Sequence, residues 1–199
     1  MSKIKAIFSD INGVLFEQER RFSERYSKEF GISIDKLNAY LDHDFDLCLT
    51  GKEDLKIHLK KLIIEWNWKG SVDELLEYWF DTNVLSYQIV IDSLMSLRDR
   101  GIKIFLATQN EKYKTEKFLK LLDPLLKFDY LIATYQVGYK KTNPKYFENC
   151  LKLHNLKPKQ VILIDNNPKA IASAKSIGMH AILFVDQAQA IKDLNKLMF

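Results

Sequence analysis

The fold is decided by one stretch, Lys5-Ala6-Ile7-Phe8-Ser9-Asp10-Ile11-Asn12-Gly13-Val14-Leu15-Phe16. Its apolar run, residues 6–8, is typical of a strand buried on both faces of a parallel sheet. The run stops before Asp10, and Gly13 allows the chain to turn sharply. Because open α/β sheets bind ligands at the carboxyl ends of their strands, Asp10 is a candidate site residue. A strand followed by an ordinary polar turn is the alternative interpretation.

Composition indicates a globular protein. The chain has 199 residues, 47% of them apolar and 28% charged, with 7 Gly and 4 Pro. That length suits one domain, or one domain carrying an insertion. No apolar run reaches the roughly 20 residues that span a bilayer, so we expect no membrane partner. A net charge of +4 without long Lys/Arg blocks argues against a nucleic-acid partner. The sequence carries no signal for an oligomeric state.

The cysteines and the start of the chain indicate a cytoplasmic protein. Residues 1–4 lead directly into the first strand without an apolar secretory segment. Cys48 and Cys150 are far apart and follow neither a zinc spacing nor a Cys-x-x-Cys pattern. We therefore expect two free, buried or half-buried thiols rather than a disulfide.

Residues 17–86 carry almost only helical signals. Phe22, Tyr26 and Phe30 recur every fourth residue, and Gly31 is placed to end that helix. Weaker periodicity predicts helices over 35–45 and 52–66. A capping box beginning at Ser71 predicts a fourth helix, which continues to about residue 81. The segment therefore resembles a small helical module.

Beyond residue 86, helices and strands alternate. The predicted helices are 89–100, 111–122 (closed by Asp123-Pro124), 144–154, 168–177 and 188–197, and the predicted strands are 102–107, 129–133, 161–164 and 181–185. Such alternation predicts an α/β fold with a doubly wound parallel sheet. The first strand precedes the helical module, so residues 1–16 and 87–199 form the predicted core domain, and 17–86 an inserted domain.

Charge follows the same division. Residues 17–86 hold 10 basic and 15 acidic side chains, a net charge of −5, whereas the remainder carries +9. A basic core under an acidic insertion favours anionic ligands and helps the two parts associate. Surface charge that merely keeps both parts soluble is the alternative.

Polar groups follow the other predicted strands. Thr108, Gln109 and Asn110 lie between a strand and a helix, where a hydroxyl and free N–H groups can hold phosphate; a plain helix cap is the alternative. Residues 138–144 form a polar loop with two lysines, which could reach a phosphate or stay solvated. Asp165 ends a further strand. A second carboxylate beside Asp10 would complete an oxygen-ligand Mg²⁺ site.

These four groups, in this order, resemble the motifs of the haloacid dehalogenase superfamily, most of whose members are phosphatases. Residues 10–13 match its Asp-x-Asp-Gly motif except at Asn12, Thr108 matches its Ser/Thr, and Lys141 holds the loop-lysine position, with Lys140 as competitor. Asp165-Asn166 matches its acidic pair. The resemblance covers essentially the whole chain, and size and cap type resemble small bacterial sugar-phosphate phosphatases. It also implies strand 5–9 at the sheet centre, with 102–107 and 129–133 on one side and 161–164 and 181–185 on the other.

The resemblance implies a mechanism. Asp10 would be the nucleophile, and Mg²⁺ would be held by Asp10, the backbone carbonyl of Asn12, and Asp165. Thr108 and Lys141 would bind the phosphoryl oxygens of a small phosphorylated substrate. The turn 50–52, and Gly51 in particular, would face the catalytic Asp from the cap, with Gln109 and Asn110 as further substrate-binding candidates. Lys141 would also offset the negative charge of Asp10.

Two amides depart from the family pattern. Asn12 replaces the usual general acid and base, and Asn166 removes a second carboxylate. An amide cannot transfer a proton, a function typically worth 10²–10⁴-fold in rate. The leading hypothesis is a Mg²⁺-dependent phosphatase of small metabolites with reduced activity. A nearly inactive member that binds a phosphorylated ligand or a protein partner, and a hydrolytic dehalogenase, are the alternatives.

Two further clusters invite a functional interpretation. Residues 42–46, Asp-His-Asp-Phe-Asp, have metal-ligand side chains, but we expect a solvated acidic face. Trp66, Trp68, Tyr78 and Trp79 could stack on a sugar or base; we expect packing within the cap instead.

Overall fold

The structure, a computed structural model, describes residues 3–17, 22–80, 85–122 and 127–198. Five strands form an all-parallel sheet in the order β3-β2-β1-β4-β5. The strands are β1 (Ala6–Ser9), β2 (Lys103–Thr108), β3 (Tyr130–Ala133), β4 (Val161–Asp165) and β5 (His180–Leu183). This order confirms the predicted α/β fold, with β1 at the centre.

Strand register brings the polar strand ends together. Ser9 of β1 lies opposite Leu106 of β2 and Ile164 of β4. The next residue, Asp10, donates its backbone N–H to the Ile164 carbonyl at 2.9 Å. Asp10, just after β1, and Asp165, the last residue of β4, therefore lie at the same level of the sheet on adjacent strands.

Helices cover both faces of the sheet. The helices are α1 (Phe22–Phe30), α2 (Ile34–Ala39), α3 (Phe45–Leu49), α4 (Leu55–Leu62), α5 (Val72–Trp79), α6 (Gln88–Asp99), α7 (Lys112–Leu122), α8 (Thr134–Val137), α9 (Pro144–Leu153), α10 (Pro168–Ser176) and α11 (Gln187–Met198). Ile7 and Ile104 pack with α6, α7 and α11, whereas Phe8 and Phe105 pack with α9 and α10. Strands buried on both sides need apolar side chains at successive positions, which explains their continuous apolar runs.

The helical segment has an aromatic core of its own. Phe22 of α1 stacks on Trp79 of α5 with ring centroids 4.4 Å apart, and the Tyr26 hydroxyl donates to the Trp66 carbonyl. Trp66 and Trp79 are 1% and 7% exposed. Their burial confirms that these two tryptophans pack within the helical segment, because neither presents an open face to a ligand.

Helix boundaries in this segment differ from the prediction. The single helix expected over 35–45 is α2, a π-helical turn (Tyr40–Asp44) and α3, and this wider turn accompanies the burial of both Tyr40 and Cys48. The helix expected from residue 52 begins at Leu55, because the Asp54 carboxylate caps it by accepting from the backbone N–H groups of Lys56 and Ile57. The short α8 and a 3₁₀ turn at Pro158–Gln160 were not predicted.

Cys48 and Cys150 are buried and free, as predicted. None of the helices in the described ranges combines the length and apolarity needed to cross a bilayer. The helix end predicted at Asp123-Pro124 and the end near residue 81 lie outside the described residues. The domain boundaries after residue 16 and before residue 87 stay a prediction.

Candidate active site

Asp10, Lys141 and Asp165 form a buried charged cluster at the carboxyl ends of β1 and β4. The Lys141 ammonium lies 2.7 Å from Asp10 Oδ1 and 2.7 Å from Asp165 Oδ2. It also donates to the Ala107 carbonyl at 3.1 Å. The three side chains are almost completely enclosed, and Asp10 keeps the largest exposure, 10% of its side chain. Asp10 is therefore the member of the cluster that a ligand can reach most easily.

Local structure brings Lys141 to this position. Helix α8 ends at Gly138, whose φ of 80° lies in the left-handed region that favours glycine. The loop then turns, and the Asn143 N–H donates to the Lys140 carbonyl at 2.9 Å. The Lys141 N–H donates to Gln109 Oε1 at 3.2 Å. Of the two candidate lysines, the structure places Lys141 between the carboxylates, while Lys140 pairs with Asp46.

Burial and charge set the protonation of the cluster. Burial raises the pKa of Asp10 to about 6; the adjacent Lys141 opposes this rise and the Asp165 charge adds to it. Burial by itself would lower the pKa of Lys141, but the charges of Asp10 and Asp165 outweigh it and raise that pKa. At neutral pH the cluster therefore holds an ionised Asp10 beside a charged lysine.

Thr108 and Asn110 close one side of the candidate site. Thr108, the last residue of β2, is 1% exposed, and its hydroxyl accepts from Asn110 Nδ2 at 2.7 Å. The Asn110 carbonyl accepts from the Thr134 hydroxyl at 3.2 Å. Parallel register carries Thr108 one residue beyond the level of Asp10. Of the three predicted residues 108–110, Gln109 thus contacts the lysine loop directly, whereas Thr108 and Asn110 bond to each other and Asn110 also bonds to Thr134 of α8.

Asn12, Gly13 and Asn166 lie on the other side. Gly13 has a φ of 80°, and a Cβ at this position would collide with the Asn166 side-chain amide. The Gly13 N–H donates to the Phe16 carbonyl at 2.7 Å, which closes the turn after β1. Asn12 is half-buried within that turn. The requirement for glycine therefore comes from both backbone conformation and the approach of Asn166.

The donor set fits a hard divalent cation. Asp10 and Asp165 are two buried carboxylates that share one ammonium, so these three side chains retain a net negative charge. Within the described ranges, no group of three or more His, Cys, Asp or Glu side chains could hold a metal. Two carboxylates with backbone oxygens and water are an ordinary set for Mg²⁺, which usually keeps several waters.

Gly51 lies at the junction between the helical segment and the sheet domain. Its φ is 69°, and an added Cβ would collide with the carbonyl oxygen of Tyr135 in α8. The contact that the structure gives Gly51 is thus with the backbone before the lysine loop. Its predicted role in substrate binding stays a prediction.

The acidic stretch 42–46 is only partly solvated. Residues 42–44 are exposed, as expected. Asp46 instead pairs with Lys140 at 2.5 Å, and both side chains are 35% exposed. No sequence pattern signals this pair, because its members lie 94 residues apart. A second buried group that the sequence did not single out is Glu111, which is 1% exposed at the start of α7.

Two curated proteins that match most of the length of this chain are named as phosphatases. A curated phosphorylated carbohydrates phosphatase of Thermotoga maritima is 25% identical, over 90% of this chain and 84% of its own length. A glyceraldehyde 3-phosphate phosphatase of Pyrococcus furiosus is 26% identical, over 92% of this chain and 82% of its own.

Solved structures share the fold. A haloacid dehalogenase family enzyme of Bacteroides thetaiotaomicron, in complex with magnesium and inorganic phosphate, superposes with a TM-score of 0.74 at 18% identity, over 90% of this chain and 93% of its own. The family model described as haloacid dehalogenase-like hydrolase matches residues 24–184. This chain, with its central parallel sheet and polar strand ends, therefore belongs to the haloacid dehalogenase-like hydrolase family.

Proposed function

We propose that this protein is a Mg²⁺-dependent phosphatase of small phosphorylated metabolites, with phosphorylated carbohydrates as the preferred class. The observation that carries the proposal is the buried Asp10–Lys141–Asp165 cluster at adjacent strand ends. The names of the Thermotoga and Pyrococcus relatives support the substrate class. Free, buried cysteines support a cytoplasmic location.

Asp10 is the proposed nucleophile. One carboxylate oxygen forms a bond to phosphorus while the bond from phosphorus to the substrate oxygen breaks, which leaves an acyl phosphate on Asp10. Water then attacks that phosphorus and releases inorganic phosphate and the free carboxylate. A pKa of about 6 keeps Asp10 largely ionised at neutral pH, as a nucleophile requires.

The surrounding residues bind and orient the phosphoryl group. In this proposal the Thr108 hydroxyl and the Lys141 ammonium would contact its oxygens, where negative charge accumulates during transfer. Asp10, Asp165 and the Asn12 backbone carbonyl would hold Mg²⁺, which when bound screens the repulsion between the Asp10 anion and the phosphate. Residues 17–86 would form the cap domain, with Gly51, Gln109 and Asn110 bordering the substrate.

A second candidate function rests on the amides. Asn12 and Asn166 remove two carboxylates from the immediate surroundings of Asp10, and Asn166 packs against Gly13. Such a site could bind a phosphorylated ligand, or a protein partner, without efficient turnover. Binding of sugar phosphates in the absence of any hydrolysis would favour this alternative.

Substitution of the nucleophile tests the proposal directly. Asp10→Asn should abolish hydrolysis of para-nitrophenyl phosphate and of a sugar-phosphate panel, because an amide cannot form the acyl phosphate. EDTA should remove the parent activity and Mg²⁺ should restore it. Asp99→Asn, an exposed position at the end of α6, is the matched control and should retain full activity.

Residual Asp10→Asn activity within tenfold of the parent would contradict the assignment of the nucleophile. EDTA-resistant turnover with halide release from haloacids would instead indicate the dehalogenase alternative. Circular dichroism of both variants establishes that the fold is retained.

Restoring the missing acid tests the role of Asn12. Without a proton donor, leaving-group departure depends on how well the oxygen tolerates charge, so aryl and anomeric phosphates should react faster than alkyl phosphates. Asn12→Asp should raise turnover by roughly 10²-fold, most for alkyl phosphates. The measurement is kcat for both substrate types in both proteins.

Asn166→Asp is the control for charge. It adds a carboxylate near the site and should leave the alkyl-to-aryl rate ratio unchanged. Equal kcat values for the parent and Asn12→Asp on alkyl phosphates would show that proton transfer does not limit the reaction.

A further inference from the structure

Between described residues, three side-chain hydrogen bonds join the helical segment 22–80 to the sheet domain, and in each of them the carboxylate belongs to the helical segment. They are Asp46 with Lys140 at 2.5 Å, Asp54 with the Tyr113 hydroxyl at 2.6 Å, and Glu77 with Lys117 at 2.9 Å. The last two end on α7. The first ends on the loop that carries Lys141, so it has a different consequence for the active site.

The Asp46–Lys140 pair is also better enclosed than the contact made by Glu77. Asp46 and Lys140 are each 35% exposed, whereas the Glu77 side chain is 78% exposed. Half-exposed ion pairs contribute little to overall stability. A well-placed pair can still restrict the position of the backbone on which its members lie.

Helix α3 and the residue just beyond its end contact the chain on both sides of the start of the lysine loop. Asp46 lies in α3 and binds Lys140, and Gly51, just beyond α3, packs against the Tyr135 carbonyl in α8. These contacts bracket Gly138, the left-handed residue at which the loop leaves α8. If the helical segment moved relative to the sheet domain, these two contacts would therefore move the loop with it.

Lys140 and Lys141 are consecutive residues, so a displacement of the Lys140 backbone would also displace Lys141 in the active site. The Lys140 carbonyl accepts from Asn143, and the following Lys141 N–H donates to Gln109, so the loop backbone is fixed on both sides. The Lys141 ammonium then lies 2.7 Å from each of two carboxylates. A misplacement of about 1 Å in a reacting group can cost about 10²-fold in rate.

We propose that Asp46 and Lys140 are a positioning pair. Their contact links the position of the helical segment on the sheet domain to the placement of Lys141 between Asp10 and Asp165. The proposal rests on the proposed phosphatase function for its kinetic consequence. Its structural consequence, the enclosure of Lys141, can be measured without turnover.

The kinetic experiment compares Asp46→Asn, Lys140→Gln and the charge-exchanged Asp46→Lys/Lys140→Asp protein with the parent. With Mg²⁺ and para-nitrophenyl phosphate, each single variant should lower kcat by about 10-fold and change KM by less than about 3-fold. In the exchanged protein, the decrease in log kcat relative to the parent should be at most half of the decrease in the single variants, because both substitutions act on the same ion pair. Glu77→Gln and Lys117→Gln, the matched controls on α5 and α7, should stay within about 2-fold.

The second readout is the acetylation rate of Lys141 by acetic anhydride, followed by mass spectrometry with fragment ions that separate it from Lys140. Lys141 is 2% exposed and should react slowly in the parent and in Glu77→Gln. In Asp46→Asn its rate should rise at least 3-fold. A parent without phosphatase activity would contradict the proposed function but leave this prediction in force.

Two results would overturn the positioning role. One is an unchanged Lys141 acetylation rate in Asp46→Asn. The other, in an active parent, is additive kcat effects of the two single substitutions with no recovery in the exchanged pair.

Discussion

At the scale of single residues, Glu111 is a buried carboxyl group whose pKa affects the stability of this protein. Its two oxygens accept from the backbone N–H groups of Tyr113 and Lys114 at 2.7 and 2.6 Å, which caps the first turn of α7. Burial raises the pKa of Glu111 to about 7; the two N–H donors and Lys114 oppose the rise, and Asp54 adds to it. The group therefore changes its charge near neutral pH.

This pKa predicts a loss of stability with rising pH. Between the ordinary value of 4.5 and about 7 the folded protein holds a proton on Glu111 that the unfolded chain has lost, so the free energy of unfolding falls as pH increases. Glu111→Gln should remove this dependence, and the parent should lose about 3 kcal/mol relative to the variant between pH 4.5 and 8.

Urea unfolding of both proteins at pH 4.5, 6 and 8 measures the difference. Glu116→Gln, an exposed position on the same helix, is the matched control and should follow the parent at every pH. A constant difference between the parent and Glu111→Gln across this range would contradict the prediction.

At the scale of elements, a local capping motif sets the residue at which α5 begins, and packing in the aromatic core sets the position of the helix. The Ser71 hydroxyl accepts from the Glu74 N–H at 3.2 Å, and the Glu74 carboxylate accepts from the Ser71 N–H at 2.6 Å. The same helix buries Leu75 and Trp79 in the aromatic core. A reciprocal capping box satisfies two backbone donors that the first turn would otherwise leave unpaired.

Ser71→Ala should therefore destabilise the protein by about 1 kcal/mol, because it removes the acceptor for the Glu74 N–H. The measurement is the free energy of unfolding in urea. Ser96→Ala, an exposed serine within α6, is the control and should be neutral or slightly stabilising, since alanine is the better helix former. Equal free energies for parent and Ser71→Ala would show that packing holds α5 without its cap.

At the scale of the whole molecule, the helical segment and the remainder of the chain carry net charges of opposite sign. The acidic residues 17–86 carry −5 and the remainder +9. The contacts follow that sign, since Asp46 and Glu77 supply the carboxylates and Lys140 and Lys117 the ammonium groups. Exposed pairs are weak individually, so their importance lies in orientation. The Asp46–Lys140 pair lies at the lysine loop, and Lys140 directly precedes Lys141 of the candidate active site.

The sequence by itself determined most of the architecture. Apolar runs identified each of the five described strands to within about two residues, and capping residues such as Ser71 and Gly31 correctly marked helix ends. These signals are short-range, because each depends on the backbone preferences and burial of a few neighbouring residues. Strand ends also pointed to Asp10 and Asp165, since parallel strands carry their ligands at one edge.

Only the tertiary structure decided which groups meet. It placed the Lys141 ammonium, the lysine that the motif position had indicated, within 2.7 Å of both carboxylates, and it joined Asp46 to Lys140 across 94 residues. It also buried Glu111 and thereby raised its pKa. Each of these outcomes depends on the distance between segments remote in sequence and on the exclusion of water between them. No local pattern encodes either quantity, because both arise only when segments remote in sequence pack together in the folded chain.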